Sequence, residues 1–325
     1  MLNKFWEAVG GKLGEQWIAA LLQPALSFWA VGLLAWVYHQ ADDWQALLDA
    51  WNKLGSTEAQ LAVLIGALLA ILASSVVMQW AQAWLLRFLE GYWPRLLNFA
   101  SRWLRKRICH RLTSKMERWQ ALAEKVDAQG GDLFGLLPAE REEYARLDRE
   151  ILLLYPPTQT PPQPEDVLPT ALGNRLKAAE THAGARYGLE AIIAWPRLWP
   201  LLPDAMRIDV AEARAHLNAA VRLIGWGMLA CLWTFWAWWA LLVGIVVVVL
   251  AWFRALSAAE TYGDLLRAAF DLHRFDLYKT LHWPLPRKTG ETERAHGEQL
   301  TQYLFRGLTQ YPVRLVHTAE SGKKG

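Results

Sequence analysis

Three long apolar runs interrupt an otherwise polar chain. The first extends from Trp17 to Tyr38, about 22 residues, enough for a helix to cross ~30 Å of hydrocarbon. Pro24 near its start marks a kink site. Glu7 and Glu15 precede it and no small-x-small site follows, so it reads as a retained span rather than a cleaved leader. The second run begins at Leu61, after Thr57-Glu58-Ala59-Gln60, which fits a capping box. It is apolar to Val77, and the pattern predicts a helix continuing past Trp80, Trp84 and Trp93 at interface depth. The third run, Leu223 to Phe253, has Thr234 as its only side-chain hydroxyl. As one straight helix its roughly 31 residues would reach about 46 Å, too long for a bilayer core without heavy tilt. With its Ala-rich flanks it covers 217–259, two spans of about 21 residues. Their turn is expected near Trp236-Ala237-Trp238-Trp239, although neither Gly nor Pro marks it.

Charge orients these runs. The loop between the first two carries Asp42, Asp43, Asp49 and Glu58 against Lys53. Arg87, Arg95, Arg111, Lys115 and Arg118 follow the second run, with the denser cluster Arg102, Arg105, Lys106 and Arg107 among them. Positive residues stay cytoplasmic, so the first loop is outside and the middle segment inside. Lys4 and Lys12 put the N-terminus inside as well. Two spans in the third run return the tail to the same side.

Residues 86–127 read as one long basic helix. Its Arg102–Arg107 cluster, next to Trp103, suits anionic lipid headgroups, and nucleic-acid or nucleotide binding is the sharper alternative. A Gly-rich turn at 127–135 precedes a charged helix from Pro138 to Leu154. The Pro-rich stretch 156–164 reads as a stiff spacer. Thr170 is the expected N-cap of a helix running to Thr181. Downstream, Ala258, Tyr262, Leu265, Ala269 and Leu272 step as one apolar stripe. Glu260, Asp264, Arg267, Asp271 and Arg274 step along another face, with signs that favour pairing on the helix surface. Trp283-Pro284 closes that helix, and a short one is expected over 292–307.

The 54% hydrophobic and 20% charged composition leans apolar, and 20 Trp suit membrane interfaces. Net charge is only +3. Two cysteines, Cys109 and Cys231, exclude a disulfide framework. Gly-rich phosphate loops, H-E-x-x-H and G-x-S-x-G are all absent from the sequence. The scattered histidines compose no metal site, so neither enzyme nor metal or cofactor chemistry is expected.

Polar residues inside the runs carry the remaining signal. Gly66, Ala70 and Ser74 form a small-residue ladder suited to close helix packing. Ser75, Gln79 and Gln82 form a neighbouring stripe. It either bonds helices within one copy or lines a water-filled path at an oligomer axis. In the middle segment Arg175, Lys177, Arg186, Tyr187, Trp195 and Arg197 combine phosphate-binding and base-stacking groups. The plainer reading makes Trp195 and Trp199 core and pairs the arginines with Glu180, Glu190 and lipid phosphates.

The stretch Leu168-Pro-Thr-Ala-Leu-Gly-Asn-Arg-Leu-Lys-Ala-Ala-Glu180, with Tyr187-Gly-Leu-Glu190, Trp195-Pro-Arg-Leu-Trp-Pro200 and Ala268-Ala-Phe-Asp-Leu-His-Arg274, resembles a signature of uncharacterised bacterial membrane proteins. The arrangement is also similar to membrane channel effectors of nucleotide-signalling anti-phage systems of the Hailong type. That resemblance implies a cytoplasmic portion that senses a nucleotide or short single strand and gates an oligomeric channel. The expectation is therefore an all-α inner-membrane protein with two transmembrane hairpins and a helical cytoplasmic domain between them. Its segments are 1–16 cytoplasmic, 17–85 first hairpin, 86–216 cytoplasmic domain, 217–259 second hairpin and 260–325 cytoplasmic helix and tail. The bilayer, further copies of the chain and a small nucleotide ligand are its expected partners. A scaffold recruiting a cytosolic protein and a membrane enzyme of unrecognised type are the alternatives.

Overall fold

The computed structural model describes residues 12–40, 44–53, 55–128, 130–158 and 161–307. The N-terminal segment before Lys12, Asp42, Asp43 and the tail beyond Gly307 lie outside the described residues. The described residues contain ten α-helices and no strand: α1 Lys12–His39, α2 Trp44–Asn52, α3 Thr57–Glu90, α4 Asn98–Ala128, α5 Pro138–Leu154, α6 Ala171–Tyr187, α7 Ala191–Leu198, α8 Asp204–Ala230, α9 Trp239–Thr280 and α10 Glu291–Arg306. The chain divides into two compact units, Met1–Arg87 with Ala215–Ala255 and Phe88–Arg214 with Leu256–Gly325.

Three helical stretches among the described residues, beginning at Thr57, Asp204 and Trp239, are long and apolar enough to cross a membrane. Their flanks are what water would reject. Leu61, Leu64, Leu68 and Leu69 on α3, and Ile245, Val246, Val249 and Leu250 on α9, are all exposed. Continuous aliphatic surface of this kind marks a lipid or partner contact. The N-cap of α3 is Ser56, whose hydroxyl accepts from the Ala59 amide at 3.2 Å. It stands one residue before the box expected at Thr57, because Ser56 already occupies the half-in position three residues ahead of that amide.

In the first unit, Ala25 of α1, Met78 of α3 and Trp226 of α8 share a buried cluster with Phe28 and Ile71. Gly32 admits the Trp233 ring, since a Cβ there would lie 2.6 Å from Trp233 Cε2. The third apolar run is interrupted as expected. A 3-10 segment, Cys231–Phe235, separates α8 from α9. Thr234 Oγ1 donates to the Cys231 carbonyl at 2.6 Å, and Trp233 stacks on Trp236 at 5.1 Å. Gly227 and Gly244 let the two helices approach, Gly227 against Val247 and Val248 and Gly244 against Cys231.

The second unit corrects several expectations. The basic helix is not continuous through 86–127. It breaks at Gly91, whose φ of +100° few other residues adopt, and Pro94 follows. The helix expected to end at Thr181 runs on to Tyr187, closed by Gly188 in the left-handed region. Within the Pro-rich stretch Pro156 and Pro162 are buried and Pro157 and Pro161 exposed, and just after it Val167 joins Cys109 and Leu112 in a cluster. Of the stripe expected on α9, Ala269 is buried, Ala258, Tyr262 and Leu265 are half-buried and Leu272 is exposed, while the neighbouring Ala259, Leu266 and Phe270 are buried. On the charged face of α9 Arg267 pairs with Asp264 three residues before it, as the spacing predicts, but Arg267 is buried and Arg274 pairs across to Glu293 of α10 at 2.8 Å.

A tight junction lies where the end of α3 meets the start of α6. Thr170 Oγ1 donates to the Glu90 carbonyl at 2.9 Å and accepts from the Gly173 amide at 3.0 Å. Asn174 is 1% exposed. Its Oδ1 accepts from the Leu168 amide at 2.7 Å, and its Nδ2 donates to the Leu168 and Thr170 carbonyls. Pro169 seats on Gly91, and a Cβ on Gly173 would lie 2.0 Å from the Glu90 oxygen. Replacing Gly173 with Ala is therefore expected to cost about 3 kcal/mol through overpacking. Gly66→Ala, which meets nothing within 4 Å, is expected to cost nothing measurable. Thermal unfolding of the two purified variants against wild type checks both.

Candidate anion-binding cleft

α4 and α5 form an antiparallel pair joined by Lys115–Glu150, by Arg118–Glu143 at 2.8 Å and by Lys125–Glu140 at 2.5 Å. Arg118 and Lys125 hold the Glu143 and Glu140 carboxyls below the usual carboxylate range. Toward the other end of this pair, Leu104, Arg107, Ile108 and Arg111 recur at three- and four-residue spacing and so share one face of α4. That face, with Tyr155, Pro169, Asn174 and Arg175, lines a cleft of about 370 Å3. The cleft is of small-ligand size. No carboxylate is among its lining residues.

Arg175 also lines an adjoining cleft of about 180 Å3 with Glu260, Asp264 and Arg267. Its Nε lies 3.3 Å from Glu260 Oε1. Arg267 Nη1 donates to Asp264 Oδ1 at 2.9 Å, and Nη2 donates to the Leu153 carbonyl at 2.8 Å. The latter bond satisfies an orphan acceptor in the last turn of α5. Arg175 and Arg267 of the smaller cleft are thus engaged with acids and a carbonyl, and the cleft is further lined by Arg146, Arg149 and Glu150. Arg107 and Arg111, both exposed, have no ion pair among the described residues. Arg107 lies over the Trp103 ring at 5.4 Å.

The expected ligand residues, on α6 and α7, are dispersed rather than gathered. Arg175 lines both clefts, and the others line neither of these two. Lys177 donates to the Asp166 carbonyl at 2.7 Å, and burial pulls its pKa down. Tyr187 donates to Asp271 at 2.6 Å, and burial with that bond pushes its pKa up to about 12. Arg186 rests 5.5 Å from the Tyr187 ring centre and is exposed. Trp195 packs with Trp199 and Phe270 on the core. Arg197 donates to the carbonyls of Ile193 and Leu304. Of the expected headgroup residues, Arg102 and Lys106 are exposed, Arg105 is half-buried and Arg107 belongs to the cleft.

The intramembrane candidates also separate. Gly66 and Ala70 are exposed. Ser74 accepts the Trp29 indole N–H at 3.2 Å. Ser75 is buried and donates to the Ile71 carbonyl at 3.0 Å, Gln79 is exposed, and Gln82 accepts from Arg222 at 2.6 Å. Arg222 escapes a sequence reading because it sits at the edge of the third run. An arginine four residues before Trp226 on the same helical face was the available signal.

No protein-family model matches the chain, and no curated protein or solved structure matches it either.

His182 of α6 has a buried Nε2 without a partner among the described residues. Burial lowers its pKa, Arg267 and Arg186 add to the shift, and Asp271 opposes it. A folded-state pKa below the unfolded value of 6.5 leaves the unfolded chain holding more protons. Stability is then complete above pH 6.5 and is lost as the pH falls through the folded-state pKa. Unfolding temperature measured between neutral and mildly acidic pH should show this slope, and His182→Gln should flatten it.

Proposed function

We propose that the chain is a multi-pass protein of the bacterial inner membrane that assembles as an oligomeric ion channel controlled by a ligand in its helical cytoplasmic unit. Four spans, α1, α3, α8 and α9, with both termini cytoplasmic, follow from the acidic loop before α3 and the basic run after it. The likeness to channel effectors of nucleotide-signalling anti-phage systems supplies the setting.

The observation that carries the reading is the continuity of α9. One unbroken helix of 42 residues bears exposed aliphatic turns near its start and Glu260, Asp264 and Arg267 of the smaller cleft farther along. A helix transmits a shift at one end as a rigid element, so a ligand that rearranges those charges acts on the apolar turns. The uncovered Gly66–Ala70 face of α3 supports contact with a second copy, and exposed Gln79 is the group left for a water-filled path.

Purified protein in liposomes is expected to conduct ions. Gln79→Leu should lower the current with the oligomer intact, and Gly66→Leu should shift the particle toward monomer. A monomer in both detergent and lipid nanodiscs, with no current, would contradict the channel. Topology has its own check in a background lacking Cys109 and Cys231. A single cysteine at Gln45 should label from outside, and one at Glu291 from inside only.

A further inference from the structure

We propose that the larger cleft is a phosphate-binding site in which Arg107, Arg111 and Arg175 together hold a small phosphate-bearing ligand. The inference deepens the reading of the cytoplasmic unit as ligand-controlled and rests on it for its role, though not for its test.

Three guanidinium groups line one concave surface, and no carboxylate shares it. Among the described residues, some arginines of this unit are matched by acids, Arg118 by Glu143, Arg267 by Asp264, Arg274 by Glu293 and Arg294 by Glu298, and others, such as Arg102 and Arg149, are not. Arg107 and Arg111 have no such match among the described residues. Like charges one helical turn apart on α4 repel each other, and an anion between them removes that repulsion. Guanidinium forks engage phosphate oxygens bidentately, which supplies both energy and orientation.

The remaining wall is apolar. Leu104, Ile108, Leu154 and Pro169 surround Tyr155, a surface suited to the non-phosphate part of a ligand such as a planar heterocycle. The Asn174 amide is spent on the Leu168 and Thr170 backbone, so recognition falls to the arginines and this wall.

Arg175 gives the site its consequence. It faces both clefts and reaches Glu260 of α9. A dianionic phosphate in the larger cleft competes with Glu260 for the same guanidinium. Binding therefore weakens the α6–α9 ion pair, whereas an empty cleft leaves it closed.

The same phosphate chemistry is presented by a soluble ligand and by a lipid headgroup, and one experiment separates them. Full-length protein is placed in nanodiscs of phosphatidylcholine alone and titrated calorimetrically with inorganic pyrophosphate and with ATP at low salt. Binding is expected, falling as salt rises. Arg107→Ala and Arg111→Ala should each weaken it about tenfold, the loss of one charge-assisted contact. Arg197→Ala, remote from the cleft, should leave it unchanged. Unfolding temperature without ligand reports whether each variant is folded. In a parallel arm, nanodiscs containing phosphatidylglycerol are compared with phosphatidylcholine by unfolding temperature. Stabilisation that Arg107→Ala and Arg111→Ala abolish would assign the phosphate to a lipid and keep the site. No binding in either arm, or binding indifferent to both substitutions in folded protein, overturns the proposal. Because no current is measured, this result is separate from the fate of the channel reading.

Discussion

One hydroxyl holds two helix ends together. Thr170 satisfies the Glu90 carbonyl at the end of α3 and the Gly173 amide in the first turn of α6. Helix ends leave several backbone groups without intrahelical partners, and burying them unpaired is costly. The lock works because Gly173 and Gly91 have no side chains to block the approach, and because Asn174 ties the incoming strand of chain to α6. Arg175 is the next residue. Its place beside α4 and opposite Glu260 follows from that backbone arrangement rather than from its own contacts.

The second unit then sorts its arginines by what surrounds them. Arg267 and Arg274 are well covered and paired, one with Asp264 and the Leu153 carbonyl, the other with Glu293, although the buried Arg267 Nε has no partner among the described residues. Removing a partner from such a pair strands a charge, so these contacts resist change. Arg107 and Arg111 are exposed, line the larger cleft and have no ion pair among the described residues. The first set reads as structure and the second as a site. In the first unit Arg222 has neutral Gln82 as its hydrogen-bond partner, which suits the polar margin of a membrane more than its centre.

Much of the fold was legible in the sequence. The three apolar runs, the break near Trp236, the Thr170 cap and the bounds of α5 follow from periodicity and punctuation. The break of the basic helix was harder, because Gly91 reads as an ordinary glycine until Pro169 is brought against it from a distant part of the chain. The partial match of the stripe on α9 has a different cause. Alanines give little hydropathy contrast, so Ala251, Ala255 and Ala259 did not stand out against Ala258 and Tyr262. The candidate site was least legible. Arg175, Lys177, Arg186 and Arg197 are close in sequence, but a helix points them in different directions. The cleft instead draws Arg175 together with Arg107 and Arg111, and no local pattern announces a contact between segments so far apart in sequence. The Leu168–Asn174 motif turned out to be packing: each of its distinctive residues serves the lock.

The central claim is that this lock presents an arginine-lined phosphate site in a membrane protein built from several copies. A three-dimensional image of the full chain in phosphatidylcholine nanodiscs with pyrophosphate present tests it most directly. The account predicts a symmetric ring with α3 at the contact between copies and density bridging Arg107, Arg111 and Arg175. A single copy with an unoccupied cleft and Arg175 still paired to Glu260 would contradict it.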